Sequence, residues 1–257
     1  MSNTMPVLFF GHGSPYNLFQ ENPFTNSLRA LGLNLPKPKA IVIISAHWIT
    51  QGTKITLEDN PKMIYDYYGF PSKFYDYVYP AKGNEQISKE IINFLPEIIK
   101  PSTQWGIDHA ATIVLENIFP KADVPIIELS LDYWKPSEYH FELGKKLKPL
   151  RKKGIMFIGS GNLIHTFREL DWNNQFGPPF PWAEELDKLH KQAISMYDID
   201  NLIHYNRWPL SARAFQTNEH YLPLLYILGM KDKSDSLEFV YEGFQHGTIS
   251  HRSYMYY

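Results

Sequence analysis

Three of the ten histidines in the chain directly follow apolar segments that are typical of buried strands. They are His12, His47 and His165, which follow the predicted strands 7–10, 40–45 and 155–159. In open α/β sheets, catalytic side chains lie in the crevice beyond the carboxyl ends of the parallel strands. If the three strands are parallel neighbours, we expect the three imidazoles to reach one crevice.

A fourth histidine, His220, precedes a predicted short buried helix over 222–228 and extends the set of candidate metal ligands. The chain contains no cysteine, so any metal must be held by histidine, aspartate or glutamate. Imidazole nitrogens suit zinc, iron, copper or nickel rather than magnesium or calcium, which prefer oxygen. The pattern therefore predicts a transition-metal site and leaves the identity of the metal open.

Most of the remaining histidines have simpler interpretations. His140, His190 and His204 lie in predicted helices with polar faces, so we interpret them as surface or structural residues. His246 and His251 follow the last predicted strand, over 238–244, and we interpret them as residues at the rim of the crevice.

Predicted strands and helices alternate along the chain. Further strands are predicted over 54–58, 124–131 and 238–244, and helices over 22–31, 84–100, from 108 onward, 137–152, 182–196 and 222–228. Alternation of this kind predicts an α/β fold with a central, mostly parallel or mixed sheet and helices on both faces. At 257 residues, we expect a single domain that spans 1–257.

The composition limits the classes of partner. The formal net charge of −2 gives no broad electrostatic reason to bind nucleic acid or an anionic membrane. No apolar run approaches the ~20 residues that span a bilayer, and the first residues lack the basic and apolar regions of a secretory signal. We therefore expect a soluble, cytoplasmic protein.

Six segments, in order along the chain, carry a resemblance to a known family. They are 11–15 (GHGSP), 45–48 (SAHW), the tyrosine-rich loop 66–83, 108–109 (DH), 159–165 (GSGNLIH) and 219–224 (EHYLPL). Together they resemble the DOPA-dioxygenase branch of the class III extradiol ring-cleaving dioxygenases, in the LigB-like superfamily. The resemblance implies a single-domain α/β enzyme that opens a catechol ring beside its two hydroxyls, with a catechol such as DOPA and O₂ as substrates.

The resemblance also implies a mononuclear, non-haem Fe(II) centre for activity, in a site that can hold Zn(II) as well. Its ligands would be His12, His47 and His220, and His165 would be either a fourth ligand or the acid–base residue. In the wider superfamily two histidines and a glutamate hold the iron, and His220 occupies the position of that glutamate. The adjacent Glu219 is a poorer candidate because consecutive side chains point in different directions.

Five further residues are candidates for contact with the substrate. His109 lies at a predicted helix N-terminus, where it can hydrogen-bond the substrate or a developing peroxide. The alternative is that it caps the helix or bridges loops. Trp48, Tyr68, Phe70 and Tyr79 are expected to line an aromatic pocket, and the alternative for each is plain packing.

Two other functions fit the same pattern. One is a zinc-dependent hydrolase, in which metal-bound water is the nucleophile and His165 is the base. The other is a metal-binding or interaction protein whose site performs no redox chemistry. Oxygen uptake on iron loading separates the dioxygenase from both. The sequence leaves open the native catechol, the position of ring cleavage and the oligomeric state.

Overall fold

Within residues 4–257, which a computed structural model describes, eight strands form one mixed sheet and two more form a short hairpin. The strands are β1 (Val7–Gly11), β2 (Ala40–Thr50), β3 (Thr53–Thr56), β4 (Ile99–Ser102), β5 (Ile126–Asp132), β6 (Ile155–Gly161), β7 (Leu237–Tyr241), β8 (Phe244–Gln245), β9 (Ile249–Ser250) and β10 (Ser253–Tyr256). The order of strands across the large sheet is β4-β3-β5-β2-β6-β1-β10-β7.

Helices connect these strands. They are α1 (Pro23–Gly32), α2 (Lys73–Asp76), α3 (Glu85–Phe94), α4 (His109–Ile118), α5 (Ser137–Leu147), α6 (Pro181–Met196), α7 (Ile199–Ile203), α8 (Ser211–Ala214) and α9 (Leu222–Met230). In the described part of the chain, none of them is both long and apolar enough to cross a membrane.

The centre of the sheet consists of four parallel strands, β5, β2, β6 and β1. Their residues are almost all buried, as expected for strands that helices cover on both faces. Because the four strands are parallel neighbours, their carboxyl ends meet at one edge of the sheet. The expected adjacency of β2, β6 and β1 is confirmed, with Gly11 opposite Gly161 and Ser45 opposite Ser160.

Helices cover both faces of this sheet, which confirms the predicted α/β architecture. On one face, α5 and α9 pack together over strand residues such as Val42 and Phe157. On the other face, α1 and α4 pack over Leu8, Ile43 and Ile158. Every residue of α9 is buried, in keeping with its apolar sequence on all sides.

Two helices end earlier than the apolar spacing predicts. α3 ends at Phe94, and the predicted helix 84–100 also contains the start of the edge strand β4. Pro96 lies between them, and a proline disfavours helical backbone at the residue before it. α5 ends at Leu147 and is followed by a 3₁₀ helix over Lys148–Lys153, because Pro149 has no backbone N–H for the α-helical ladder.

β10 is a strand that the sequence pattern does not predict. It runs antiparallel to both β1 and β7, and these pairings, with that of β3 and β5, make the sheet mixed. The strand has only four residues and directly follows the β8–β9 hairpin, so it offers too short a pattern to recognise. Its position matters for the site, since Ser253 Oγ accepts the backbone N–H of Gly11 (3.2 Å) at the end of β1.

Three histidines outside the crevice are buried. His140 and His190 are hydrogen-bonded residues of the interior, which is the structural alternative expected for them, whereas His251 lies beneath the end of β1 rather than at the rim. Nδ1 of His140 is 3.2 Å from the Tyr226 hydroxyl, and Nδ1 of His251 donates to the Gly11 carbonyl at 2.6 Å. These local partners let an imidazole replace an apolar side chain in the core.

The three buried histidines predict a loss of stability in mild acid. Burial lowers the pKa of His140, His190 and His251 to about 4. The unfolded chain takes up these protons below about pH 6.5, whereas the folded protein resists them until about pH 4, so stability is lost between those values. Each histidine contributes up to about 3 kcal/mol to the loss. Urea denaturation of metal-free protein should show a midpoint that falls from pH 7 to pH 5.

The variant His140→Gln isolates one of these contributions, because glutamine does not titrate in this range. Its free energy of unfolding should depend less steeply on pH than that of the wild type, whatever its stability at pH 7. An equal dependence on pH in the two proteins would contradict the prediction.

Candidate metal centre

The carboxyl ends of the central strands bring histidines together from distant parts of the chain. His12 directly follows β1, and its backbone N–H donates to the Gly161 carbonyl (3.1 Å) at the end of β6. His47 lies within β2, where the pairing with β5 shifts register. The His220 carbonyl accepts the N–H of Asn162 (2.9 Å). Gly161 permits this approach, since a Cβ there would lie 2.1 Å from the His220 carbonyl oxygen.

Three of these imidazoles converge on one point. Ring nitrogens of His12, His47 and His220 all lie within 4.8 Å of one another, and Nε2 of His12 is 3.3 Å from Nε2 of His47. The ring of His165 stacks on that of His220, with centroids 3.6 Å apart and planes inclined by 6°. His165 is not among the three whose nitrogens converge. The structure therefore brings all four predicted histidines together, as a cluster of three with a fourth beside it.

The outer ring nitrogen of His12 is held by a short hydrogen-bonded chain. Nδ1 of His12 is 3.1 Å from Ser160 Oγ, and the Ser160 hydroxyl itself donates to the Ala110 carbonyl (2.8 Å). Because the serine proton is used on that carbonyl, Ser160 Oγ accepts from His12, and Nδ1 carries the proton. The lone pair of the neutral His12 ring is therefore on Nε2.

Carboxylates hold the outer nitrogens of the other two clustered histidines. Nδ1 of His47 is 3.0 Å from Asp66 Oδ2, and Nδ1 of His220 is 3.1 Å from Glu219 Oε1. An ionised carboxylate only accepts, so both Nδ1 atoms carry protons and both neutral rings keep a lone pair on Nε2. Glu219 thus contacts the outer side of His220 and is not one of the converging groups.

The geometry of this cluster fits a metal ion. The Nε2 lone pairs of His12 and His47 face each other at 3.3 Å, an arrangement that requires a proton or a cation between them. Two nitrogens bound at about 2.0–2.1 Å to one zinc ion in a tetrahedral site lie roughly 3.3 Å apart. Imidazole donors also suit iron. His12, His47 and His220 are therefore the residues that can hold a metal here.

Asp66 and His109 form a second cluster beside His47. Asp66 Oδ1 accepts from Nδ1 of His109 (2.8 Å) and also from its backbone N–H (3.3 Å). His109 is the first residue of α4, and Asp108 caps that helix by accepting the Ala111 N–H (3.0 Å). The rings of His109 and His47 have centroids 4.1 Å apart, so His109 lies next to the cluster of His12, His47 and His220.

Burial sets the protonation of three imidazoles in the site. Burial, together with the positive potential of neighbouring histidines, lowers the pKa of His12, His165 and His220 well below the ordinary value. All three rings are therefore neutral at neutral pH. A neutral imidazole is the form that binds a metal or accepts a proton.

The carboxylate Asp66 reverses this balance at His47. Burial by itself lowers the pKa of His47, but the hydrogen bond and the charge of Asp66 outweigh burial and raise it. Burial likewise raises the pKa of Asp66, but hydrogen bonds from His109 and His47 outweigh it and hold that pKa well below its usual range. Asp66 is therefore ionised and supplies one negative charge at the edge of the site.

Two of the predicted pocket residues have neighbours that favour the packing alternative. Trp48 is buried, and its ring stacks on that of Trp105 with centroids 5.7 Å apart. Tyr79 is also buried, and its hydroxyl donates to the Phe119 carbonyl (2.7 Å). Trp48 and His47 are consecutive strand residues, and such side chains point to opposite faces.

The other two predicted pocket residues lie in the tyrosine-rich loop. Tyr68 is 93% exposed, and the ring of Phe70 packs edge-on against that of Tyr67 (5.3 Å). Tyr67 packs against a histidine of the site, with its ring centroid 5.5 Å from that of His109. Tyr67 therefore joins the site, whereas its neighbour Tyr68 is the residue predicted from the sequence.

Asp66, Tyr67 and Ser160 are site residues that the sequence analysis misses. Asp66 and Tyr67 lie in a loop without periodic structure, and Asp66 meets His109 across 43 positions of sequence. Ser160 lies in β6 inside a segment already noted for its histidine. Two acidic residues, Asp66 and Asp76, lie among the tyrosines of the loop, so the sequence does not single out Asp66.

Gly13, next to His12, lies at a position where a larger side chain should disturb the site. Its φ is +64°, and a Cβ there would lie 2.2 Å from Cε1 of His251 and 2.8 Å from Oε1 of Gln245. Gln245 Oε1 in turn accepts the backbone N–H of Ser14 (3.0 Å). Gly13→Ala should therefore destabilise the protein by about 2–4 kcal/mol and weaken metal binding. Urea denaturation and a Co(II) titration measure the two effects.

Gly52→Ala is the matched control for this prediction. Gly52 has a similar φ of +74°, but a Cβ there would meet nothing within 4 Å. The control carries the backbone strain without the clash, so it should cost about 1 kcal/mol and leave Co(II) affinity unchanged. Equal losses in the two variants would show that the His251 contact contributes nothing.

The chain matches a known family over most of its length. Residues 17–257 match the family described as the catalytic LigB subunit of aromatic ring-opening dioxygenase. A crystal structure of an uncharacterized protein from Escherichia coli K12 has a TM-score of 0.85 to this fold at 36% identity, and the match covers 98% of this chain and 99% of that one.

Proteins with assigned names show the same relationship. The chain is 40% identical to the 4,5-DOPA dioxygenase extradiol of Escherichia coli strain K12, over 97% of this chain and 94% of that protein. It is 30% identical to the protein of the same name from Portulaca grandiflora, over 96% of this chain and 94% of that protein. These findings confirm the resemblance carried by the six sequence segments. The chain belongs to the LigB family of aromatic ring-opening dioxygenases.

Proposed function

We propose that the protein is an extradiol dioxygenase that inserts both atoms of O₂ into a catechol such as DOPA, and that 1–257 acts as one catalytic domain. The observation that carries the proposal is the convergence of His12, His47 and His220 beside two further imidazoles. The relatives named 4,5-DOPA dioxygenase extradiol support DOPA or a related catechol as the substrate.

His12, His47 and His220 would hold Fe(II), and Zn(II) would fit the same nitrogens. When bound, Fe(II) would supply Lewis acidity toward the catechol oxygens and electron exchange with O₂. Zn(II) would supply the Lewis acidity but not the electron exchange. The contribution of the protein is to keep each Nε2 lone pair available by holding the proton on Nδ1. It does so through Ser160, Asp66 and Glu219.

His165 is proposed to accept a proton from a catechol hydroxyl. Its pKa is lowered by burial and by the neighbouring His220 and His47, so the ring is neutral and ready to accept at neutral pH. Stacking on His220 keeps the ring beside a metal ligand. The proton taken up in this step is available for return to the ring-opened product.

His109 is proposed to hydrogen-bond the substrate from the other side of His47. Its Nδ1–H donates to Asp66, so the neutral ring keeps its acceptor on Nε2. Tyr67 packs edge-on against this ring and limits its rotation. Phe70 and the exposed Tyr68, on the same loop, are proposed to form the aromatic entrance for the substrate.

Oxygen uptake tests the proposal directly. Protein loaded with Fe(II) without air and then mixed with L-DOPA in air should consume O₂ and form a yellow ring-opened product. Metal content should be measured on the same sample before and after loading. Absence of oxygen uptake with every member of a panel of catechols would overturn the proposal.

A zinc-dependent hydrolase is the second candidate, and the all-imidazole donor set favours it because that set suits Zn(II). In this function His165 would accept a proton from water rather than from a catechol. Hydrolytic activity in air-free buffer with zinc, without any gain on iron loading, would select it. Metal binding without turnover under either condition would instead indicate a non-redox binding protein.

A further inference from the structure

Asp66 is a largely buried carboxylate that contacts two imidazoles with different proposed tasks. Its Oδ2 is 3.0 Å from Nδ1 of the metal-binding His47. Its Oδ1 is 2.8 Å from Nδ1 of His109 and also accepts the backbone N–H of that residue. The side chain of Asp66 is 14% exposed, so water competes little for either oxygen.

The distances identify Asp66 as a hydrogen-bond acceptor rather than as a metal ligand. The 2.8 Å separation between Nδ1 of His109 and Oδ1 is that of an N–H···O hydrogen bond, and the 3.0 Å separation between Nδ1 of His47 and Oδ2 is that of a close ion-pair contact. Two ligand atoms on one zinc ion would lie farther apart, at roughly 3.3 Å. The backbone N–H of His109 also points at Oδ1, and a cation at that oxygen would face this donor.

The residues before and after Asp66 are both tied to the rest of the loop by hydrogen bonds. The hydroxyl of Tyr65 donates to the Tyr77 carbonyl (2.8 Å), and the hydroxyl of Tyr67 donates to the Phe74 carbonyl (2.7 Å). These bonds fix the backbone on either side of the carboxylate. Asp66 can therefore orient the two rings instead of following their motion.

We propose that Asp66 is a positioning residue that acts on the metal site and on the substrate site through His47 and His109, an inference that rests on the proposed function. Through its hydrogen bond with Nδ1 of His109 and its ion-pair contact with Nδ1 of His47, it sets Nε2 of His47 as the metal ligand and Nε2 of His109 as the acceptor for the substrate. Its charge, one imidazole away from the metal, offsets part of the positive charge that an all-histidine ligand set leaves in place.

Asp66→Asn separates this role from packing, because asparagine has nearly the same shape. Its amide offers one acceptor oxygen and one NH₂ donor, so it cannot accept from both Nδ1 atoms, and one ring must give up its Nδ1 proton. We expect the affinity for Co(II) to fall roughly 10- to 100-fold. Long-range ¹H–¹⁵N spectra of the Zn(II)-loaded protein should show a changed protonation pattern at His47 or His109.

Asp235→Asn is the matched control. Asp235 is also buried and ion-paired, with Arg151 at 2.6 Å, and Arg151 in turn donates to the Met5 carbonyl near the amino end of β1, away from the site. This variant should lose stability but keep the Co(II) affinity and ring protonation of the wild type. Co(II) affinity of Asp66→Asn within about twofold of the wild type, with unchanged ring protonation, would overturn the proposal.

The wild-type spectrum decides the question even if Asp66→Asn does not fold. We expect protons on Nδ1 of both His47 and His109, and a proton on Nε2 of either ring would overturn the proposal. None of these measurements uses a catechol. A wild-type protein that binds Co(II) but opens no ring would therefore count against the proposed function and leave the role of Asp66 at the metal site standing.

Discussion

Replacing His47 with alanine is expected to abolish stoichiometric metal binding and to lower ring-opening turnover by more than about 100-fold. Loss of a residue that only orients a metal ligand costs roughly 10- to 100-fold, and removal of the ligand itself should exceed that. His47 also has a second task, because its ring makes the ion-pair contact that ties Asp66 to the cluster. Metal analysis after Fe(II) loading and oxygen uptake with L-DOPA measure the two losses.

His204→Ala is the control for this change. His204 is a partly exposed histidine that pairs with Glu138 and Asp200 at 3.1 Å each, outside the converging cluster. We expect its metal content and turnover to match those of the wild type. A His47→Ala protein that retained one metal per chain and wild-type oxygen uptake would remove His47 from the metal centre.

The placement of the central strands could be predicted from the sequence because each strand is a short, uninterrupted apolar run. Residues such as Ile43, Phe9 and Ile158 are fully buried, and strands buried on both faces appear in the sequence as continuous apolar runs. The histidines at the ends of these runs follow from the same pattern. Parallel pairing of β2, β6 and β1 then places His12 and His47 at one edge of the sheet.

The surroundings of the cluster could not be predicted in the same way, since they depend on contacts between remote segments. Asp66 reaches His47 and His109 only because the loop after β3 folds back over the start of α4. Glu219 is a second example. Its position in the sequence fits a metal ligand, but in the structure its carboxylate contacts Nδ1 of His220, the outer nitrogen of that ring.

Burial of aromatic residues was the other point at which sequence patterns carried too little information. Trp48 directly follows His47 and Tyr79 lies in the tyrosine-rich loop, but the core or a second ring covers each of them. Tyr67 and Tyr68 are adjacent and chemically identical, and only the fold decides which of them meets His109. An aromatic-rich composition therefore indicates a pocket but does not identify which aromatic residues line it.

Replacing His165 with alanine is expected to lower kcat by roughly 10²- to 10⁴-fold while the protein keeps its full metal content. The size of the effect is that of removing an acid–base group. Metal should stay bound because the three converging nitrogens belong to His12, His47 and His220, and His165 stacks on the outside of this set. Metal analysis and steady-state oxygen uptake, measured on the same Fe(II)-loaded preparation, separate the two quantities.

The same experiment distinguishes the two roles that the sequence leaves open for His165. Removal of a fourth ligand would lower the metal affinity, whereas removal of an acid–base residue would lower only the turnover. His165→Gln provides the matched variant, because glutamine keeps a polar side chain in the stack on His220 but cannot accept a proton near neutral pH. We expect it to bind Co(II) like the wild type and to be nearly as slow as His165→Ala. Loss of metal from both variants would identify His165 as a ligand, and the proton from the catechol would then have to go to another group, with His109 the nearest candidate to His47.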